Sequence, residues 1–288
     1  MRPRRRLDPY WMLAPSLLLL GVFFLYPLVA AASLSLRSWD LLTPPRYVGL
    51  QNYRLLWQSG ELLHTFGITI AYSSVVVLGS MSLGLAFAVA LDRPGWIVSL
   101  VRGAVFSAYV VSWVAVALLW IWMLDPDAGL LSRLLAAIGL RGKNWLGDPR
   151  LAVYTLAAVS VWKITGYAMI VFLAGLQDIP RSVREAAALD GAGRLARFWY
   201  VSWPLLRPSA AFVATTSLIV SFQAFDVVRI MTQGGPVHST ELFVYAIYQQ
   251  IFMNLRVGRA SALVIVFSLL ILVLTAAQLR VWRSTWQA

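Results

Sequence analysis

Residues 181–193 read Arg-Ser-Val-Arg-Glu-Ala-Ala-Ala-Leu-Asp-Gly-Ala-Gly, and the polar segment continues to Trp203-Pro204 between two long apolar runs. The region holds five of the 24 basic residues of the chain, namely Arg181, Arg184, Arg194, Arg197 and Arg207. It is the longest charged stretch that is predicted to face the cytoplasm. A loop of this length and charge between membrane spans suggests a docking surface for a partner.

Local signals divide this loop into two short helices. Ser182 followed three residues later by Glu185 has the form of a capping box, so a helix is predicted over residues 182–190. Gly191 and Gly193 permit a sharp turn, and a second helix is predicted over residues 194–202. Without further information, the alternative is a connector that lies on the membrane surface with its arginines on anionic lipid.

The composition places the chain in the membrane. Its 288 residues are 60% hydrophobic and 12% charged, whereas soluble domains carry about 25% charged residues. A spanning helix needs roughly 20 apolar residues, and six runs qualify: about 12–34, 64–91, 100–124, 151–176, 210–230 and 260–280. The predicted fold class is therefore all-α and polytopic, with one transmembrane domain over residues 1–288 and a cytoplasmic loop over 177–209.

The basic residues also predict orientation and exclude other classes. With the N-terminus inside, 13 Lys and Arg residues fall on inner segments and 10 on outer segments, as the positive-inside rule favours for cytoplasmic termini. We interpret the first span as an uncleaved anchor, although Ala30-Ala31-Ala32 also fits a signal-peptide cleavage site. The net charge of +12 is explained by membrane topology rather than by nucleic acid. The absence of cysteine excludes disulfides and cysteine metal sites.

Ionisable residues inside spans are candidates for function because their burial in lipid is costly. Lys163 lies in the middle of the fourth span, with Tyr167 one turn further on. The alternatives are that Lys163 snorkels or pairs with a neighbouring helix, and that Tyr167 packs in the core. Trp113, Trp120 and Trp122 in the third span either stack on sugar rings or form packing and interfacial contacts.

The fifth span offers a second polar group. Ser217 and Ser221 share one helical face, and Gln223 follows them. The alternative for these side chains is hydrogen bonding between helices. Asp226 and Arg229 have the spacing of a local ion pair.

The motifs in the polar loop resemble a known family. Glu185-Ala186-Ala187, three residues, Gly191, nine residues and Val201-Ser202-Trp203-Pro204 is similar to the Glu-Ala-Ala loop of bacterial ATP-binding-cassette (ABC) importer permeases. The chain departs from that pattern with Val201 in place of Ile and Trp203 in place of Leu, and both remain apolar. The Thr232–Pro236 run, followed by Thr240, resembles the carbohydrate and glycerol-3-phosphate subclass. Pro27 and the Gly49–Tyr53 segment also fit, so the resemblance covers nearly the whole chain.

The resemblance implies a MetI-like permease fold with six transmembrane helices in the bacterial inner membrane. It implies that the loop docks in a groove of an ATPase subunit and couples ATP-driven closure to movement of the helices. Glu185 would make polar contacts, Ala186 and Ala187 would allow close seating, Gly191 would allow the turn, and Pro204 would set the entry into the next span. The implied partners are a second permease, two cytoplasmic ATPase subunits, an extracytoplasmic binding protein and membrane lipid. No cofactor is expected on this chain, and it is not expected to be an enzyme. ATP and Mg would be used by the ATPase subunits, since the Gly-x-x-x-x-Gly-Lys-Ser/Thr loop is missing.

The resemblance to maltose-importer permeases places the substrate site on the two helices that flank the loop. The matching positions are Lys163, Ile164, Tyr167, Ser217, Val220, Ser221 and Ala224. Together with Gln223 and Asp226 these positions form the predicted pathway. A buried lysine is a suitable partner for phosphate, and the Thr232–Val237 run resembles glycerol-3-phosphate importer permeases. Glycerol 3-phosphate or a glycerophosphodiester is therefore the predicted substrate.

Three alternatives remain open at this point. A neutral di- or oligosaccharide is the other candidate substrate, and the coupling motifs do not separate it from a phosphate ester. A stand-alone secondary transporter would show inverted repeats or broken helices in matching halves, and neither is evident by eye. An intramembrane enzyme would need a catalytic motif, but Gly-x-Ser-x-Gly and His-Glu-x-x-His are both missing.

Overall fold

A computed structural model describes residues 8–140 and 142–286. These residues form fourteen α-helices and one short antiparallel ribbon. The helices are α1 (Asp8–Leu20), α2 (Tyr26–Ser35), α3 (Gln51–Gln58), α4 (Glu61–Ala90), α5 (Trp96–Val110), α6 (Trp113–Met123), α7 (Leu130–Ala137), α8 (Ala152–Gln177), α9 (Arg181–Leu189), α10 (Arg194–Arg197), α11 (Trp203–Phe222), α12 (Asp226–Met231), α13 (Phe243–Tyr248) and α14 (Val257–Trp286). Strands β1 (Arg37–Ser38) and β2 (Arg46–Tyr47) pair Arg37 with Tyr47 and Ser38 with Arg46.

Three π-helical turns interrupt or extend these helices. They are Gly21–Leu25, Phe198–Ser202 and Gln249–Met253. The first joins α1 to α2, and the second joins α10 to α11. In both places the helical path continues through the turn.

Four predicted spans match long apolar helices. These are Met12–Ser35, Glu61–Ala90, Ala152–Gln177 and Val257–Gln278. The predicted charged leader, residues 1–6, lies outside the described residues. The helix over Ala152–Gln177 is the most buried of the candidate spans, and helices α5, α11 and α12 pack against it.

The predicted third span over residues 100–124 is wrong as one straight helix. Helices α5 and α6 meet at a bend of 102°. Val111 and Ser112 both adopt extended backbone conformations, with ψ of 141° and 142°, so the helical hydrogen bonds stop there. Neither residue is charged, and neither is Gly or Pro, so the hydropathy of this run does not reveal the break. The bent pair gives a sixth span only if α5 and α6 count as one.

The predicted fifth span over residues 210–230 needs a shift toward the N-terminus. The apolar helix covers Arg194–Phe222 and stops before Gln223. The residues after it form the separate short helix α12. The prediction of a separate surface helix over 194–202 is also wrong, because α10 and the π-helical turn at Phe198–Ser202 lead directly into α11.

Two compact units are distinguished by their internal packing. The first contains the described residues up to Leu63 together with Ala246–Leu270. The second contains His64–Tyr245 and the described residues from Ile271 onward. The prediction of a single domain over residues 1–288 stays a prediction.

Small residues bring the helices of the second unit into close contact. A Cβ atom added at Gly84 would come within 3.0 Å of the backbone of Ala168 and Met169, so α4 lies directly against α8. A Cβ atom at Gly166 would collide with Val105 O and lie 2.8 Å from the Cα of Phe106, so α5 also lies directly against α8. Small residues at helix interfaces let backbones approach in this way in membranes.

Candidate substrate pathway and coupling surface

Two cavities in the second unit open around the end of α11. The first has a volume of about 190 Å³ and is lined by Tyr109, Ile164, Tyr167, Thr216, Ser217, Ile219 and Val220. The second has a volume of about 240 Å³ and is lined by Trp113, Val220, Gln223, Ala224, Phe225, Asp226 and Val227. Val220 is common to both linings, so the cavities are neighbours. Together they present aromatic rings, hydroxyl groups, one amide and one carboxylate.

The local backbone explains the second cavity. Helix α11 ends at Phe222 and α12 begins at Asp226. Gln223 and Phe225 adopt neither regular helical nor strand geometry. Gln223 lies in the break between the two helices, and it is exposed.

Most of the predicted pathway residues line these cavities. Tyr167 and Ser217 line the first cavity, and Gln223 and Asp226 line the second. Ser221 does not, because it is buried and its Oγ donates to the carbonyl of Leu218 at 2.8 Å. Ser217 accepts a hydrogen bond from Ser80 Oγ at 3.3 Å, so its hydroxyl also joins α11 to α4.

Lys163 lines neither cavity, although it contacts Tyr109 of the first lining and Trp113 of the second. Its side chain is 2% exposed, and its Nζ donates to the carbonyls of Ala108 at 3.2 Å, Tyr109 at 2.9 Å and Val111. The ammonium group also lies 5.0 Å from the centre of the Trp113 ring. All three of its protons therefore have acceptors in the break between α5 and α6. This geometry favours the structural alternative for Lys163, in which it pairs with a neighbouring helix.

Sequence reasoning missed five lining residues, namely Tyr109, Thr216, Ile219, Phe225 and Val227. Tyr109 stacks on Tyr167 with ring centres 5.0 Å apart and an interplanar angle of 24°. The other four complete the walls. Tyr109 belongs to the predicted third span and lies two residues before the break at Val111. Of the three tryptophans named from that span, Trp113 lines the second of these cavities, Trp120 packs edge-on against Trp162, and Trp122 is exposed.

Helix α9 carries the predicted coupling residues on an exposed surface. Glu185 and Ala186 are exposed and Ala187 is partly exposed, while Leu189 is 89% exposed. The predicted capping box is wrong, because the helix begins at Arg181 after Pro180 and no side chain caps it. Ser182 lies inside the first turn instead of preceding it.

The end of α9 explains the glycine of the motif. Gly191 has a φ of +79°, its N–H donates to Ala188 O at 3.1 Å, and the N–H of Ala192 donates to Ala187 O at 3.1 Å. This pair of bonds is the Schellman motif, which places a left-handed residue directly after the helix cap. The predicted turn at Gly191 is confirmed.

Comparison with known proteins agrees with this arrangement. The family described as "Binding-protein-dependent transport system inner membrane component" matches residues 80–286. The chain belongs to this family. It is therefore an inner-membrane permease of a binding-protein-dependent transport system, which replaces the alternative of a stand-alone transporter.

Relatives of this permease align over almost its full length. It is 34% identical over 285 residues to the sn-glycerol-3-phosphate transport system permease protein UgpA of Escherichia coli O157:H7, covering 96% of this chain and 94% of the relative. It is 32% identical over 274 residues to the protein of the same name from Agrobacterium fabrum, covering 94% and 93%. Among solved structures, a chain of a bacterial ABC transporter that imports the acidic polysaccharide alginate matches with a TM-score of 0.81 and 22% identity, over 96% and 94% of the two chains. That likeness confirms the fold.

Arg184 attaches α9 to the membrane helices of the permease. Its guanidinium donates to the carbonyl of Leu176 at the end of α8, and it lies 3.4 Å from a carboxylate oxygen of Asp92. Asp92 follows α4, so one side chain connects α9 to two spans. Arg102 closes the same turn by donating to the carbonyls of Leu91 and Arg93. Movement of α9 would thus be transmitted to α4 and α8.

Pro204 lies at the junction between the coupling segment and the membrane helix. It is among the first residues of α11, directly after the π-helical turn. Because the helical path continues through that turn, Pro204 removes one backbone donor where the turn joins α11. It lies inside the apolar helix over Arg194–Phe222 and not at its start, and its role in coupling stays a prediction.

The Thr232–Pro236 run forms an ordered loop at the other end of the pathway helices. Thr240 is fully buried, and its Oγ1 donates to Gly235 O at 2.7 Å and lies 2.8 Å from Thr232 Oγ1. Gly234 has a φ of +80°, a value that glycine adopts without the penalty of other residues. Hydrogen bonds among the residues of the motif therefore fix the conformation of this loop.

Proposed function

We propose that this permease forms one half of the substrate pathway of an ATP-driven importer for glycerol 3-phosphate or a glycerophosphodiester. The observation that carries the proposal is the 34% identity over 96% of the chain to a permease of sn-glycerol-3-phosphate transport. Near-complete coverage of both chains supports carrying the substrate class across. The two cavities beside α11 are the proposed path.

The chemistry of the cavity walls suits the glycerol part of such a substrate. Tyr109, Tyr167, Thr216 and Ser217 offer hydroxyl groups or aromatic faces. Among the described residues that line the two cavities there is no Lys or Arg, and Asp226 adds a negative charge. We therefore infer that the second permease supplies the cations that neutralise the phosphate. In this arrangement Lys163 shapes the wall and does not bind the phosphate itself.

The partners follow from the family and from the exposed surface of α9. The proposed importer contains a second permease, two ATPase subunits that use ATP and Mg, and an extracytoplasmic binding protein. Helix α9 presents Glu185, Ala186 and Leu189 without covering contacts in the described chain, which supports docking of an ATPase subunit there. Cytoplasmic N- and C-termini would place α9 on the side where ATP is available.

A neutral di- or oligosaccharide is the second candidate substrate. The absence of cationic side chains from the described cavity linings and the stacked rings of Tyr109 and Tyr167 favour it. Sugar rings commonly pack against aromatic faces, and hydroxyl groups accept and donate equally well. The sequence relatives nevertheless weigh more heavily, since they share the whole chain.

The two candidates are separated by ATPase measurements on the reconstituted importer. The complex is titrated with binding protein loaded with glycerol 3-phosphate, a glycerophosphodiester or a neutral disaccharide. We expect a phosphate ester to stimulate ATP hydrolysis and the disaccharide to leave it at the basal rate. Stimulation by the disaccharide alone would keep the importer and replace the substrate.

A further inference from the structure

A polar cavity lies within the first unit, and its lining shares no residue with the linings of the proposed path. Its volume is about 440 Å³. It opens where α2 ends at Ser35 and α14 begins at Val257, so it lies at the end of two membrane helices. We call it the arginine cavity, after the three arginines in its wall: Arg46, Arg256 and Arg259.

The backbone around the arginine cavity is held by specific hydrogen bonds. Asn52 is buried, and its Nδ2 donates to Ser35 O at 2.8 Å and to Arg37 O at 2.9 Å. The N–H of Val257 donates to Trp39 O at 3.0 Å. A Cβ atom at Gly258 would collide with Arg37 O, so α14 starts in direct contact with β1. The wall is thus fixed before any ligand arrives.

The three guanidinium groups have no counterion in the described chain. No hydrogen bond or ion pair there engages the side chains of Arg46, Arg256 or Arg259. Asp40 is the acidic residue of the wall, but its Oδ1 accepts bonds from the N–H of Leu42 at 3.1 Å and from the N–H of Thr43 at 2.8 Å. The bond from the Thr43 N–H lowers the pKa of the Asp40 carboxyl, so it is charged at neutral pH. Three cations and one anion leave the wall with a formal charge of +2.

The start of α14 adds to this positive field. Arg256 directly precedes the helix and Arg259 lies in its first turn. Cations are unfavourable at a helix N-terminus, where the macrodipole favours anions. In the described chain, the N–H groups of Gly258 and Arg259 donate no hydrogen bond, as is usual for the first turn of a helix. A bound anion would remove both unfavourable features.

We propose that the arginine cavity binds the phosphate group of a phosphate ester. The ligand is either a soluble glycerol phosphate or the headgroup of an anionic phospholipid, which present the same chemistry. A phosphate monoester carries roughly −1.5 to −2 charges at neutral pH and a phosphodiester headgroup carries a single negative charge, so the positive wall attracts both. Guanidinium groups bind phosphate oxygens in a bidentate manner. Trp39 in the same wall fits a position at the membrane–water boundary. The proposal does not depend on which substrate the importer carries.

The test compares two double variants of the full importer complex without binding protein. The first is Arg256→Gln with Arg259→Gln. The matched control is Arg54→Gln with Arg133→Gln, which removes the same charge from two exposed arginines outside the cavity. Binding of glycerol 3-phosphate is measured by calorimetry in phosphatidylcholine nanodiscs. Retention of phosphatidylglycerol against phosphatidylcholine is measured by native mass spectrometry.

We expect the cavity variant, and not the control, to weaken phosphate-ester binding at least about tenfold, as for loss of charge-assisted hydrogen bonds. Weaker binding of glycerol 3-phosphate alone identifies a soluble ligand, and loss of phosphatidylglycerol alone identifies a lipid. Asp40→Asn should strengthen the same binding roughly fivefold by removing a like charge, a gain that misfolding does not produce. Unchanged binding of both probes in the cavity variant overturns the proposal.

Discussion

In the second unit, the Lys163 side chain forms hydrogen bonds with backbone carbonyls that would otherwise be unpaired inside the membrane. The break between α5 and α6 frees backbone carbonyls, which are costly to leave unpaired away from water. Lys163 supplies their hydrogen bonds from a position 52–55 residues further along the chain. The break provides acceptors for the Lys163 ammonium group, and Lys163 provides donors for the carbonyls at the break. Each therefore stabilises the other.

The first prediction concerns Lys163. Lys163→Met should lower the thermal stability of the detergent-solubilised permease, because each buried carbonyl that loses its donor costs about 1–3 kcal/mol. Lys163→Arg keeps charge and donors and should restore part of the melting temperature. An unchanged melting temperature with a raised KM for a phosphorylated substrate would instead return Lys163 to a role in substrate binding.

Gly191 and Gly193 offer a matched pair for the second prediction. Both have open space around the Cβ position, but Gly191 has a φ of +79° and Gly193 a φ of −65°. Gly191→Ala should cost about 1–2 kcal/mol of local strain and loosen the end of α9. Gly193→Ala should cost much less. Substrate-stimulated ATPase activity of the two complexes checks this, and equal activities would show that the left-handed turn is not needed for coupling.

At the scale of elements, α9 is a short exposed helix whose position depends on few contacts. Arg184 fixes it against the end of α8 and against Asp92. The neighbouring core of α4, α8 and α11 contains Ala88, Phe172, Leu206 and other buried apolar residues. The Arg184 guanidinium group therefore connects α9 to this core, in addition to the chain itself and the contacts of α9 with α10 and the following π-helical turn.

Arg184→Gln should accordingly uncouple the permease from ATP hydrolysis. We expect transport per ATP to fall roughly fivefold, at the lower end of typical coupling free energies. Arg181→Gln on the same helix is the control, because Arg181 is exposed and has no hydrogen bond or ion pair from its side chain in the described chain. Transport and ATP hydrolysis are measured together in proteoliposomes. An equal effect of both variants would point to the charge of the loop and not to the attachment.

At the scale of the whole molecule, the distribution of arginine predicts the orientation of the chain in the membrane. The chain has no cysteine, so single cysteines can be labelled without interference. Leu42 and Leu189 are 81% and 89% exposed and lie on opposite sides of the membrane in the predicted topology. Leu42→Cys should react with a membrane-impermeant maleimide in intact spheroplasts, and Leu189→Cys only after permeabilisation. Reversed labelling would invert the topology and remove α9 from the side of the ATPase.

The amino-acid sequence by itself determined the class, four of the six predicted apolar spans and the turn at Gly191. Transfer of apolar side chains into lipid depends on composition over about 20 residues, and a left-handed turn depends on one residue, so both are visible locally. The same reasoning found Tyr167, Ser217, Gln223 and Asp226, which line the cavities.

Only the tertiary structure decided the bend at Val111, the hydrogen-bond partners of Lys163 and the arginine cavity. The bend is stable because a residue of another helix donates to its carbonyls, and no local pattern records that donor. Arg46 and Arg256 are more than two hundred positions apart in the sequence, and they share a wall because α14 starts against β1. Hydrogen bonds and charges between distant segments depend on packing, which the periodicity of one segment does not contain.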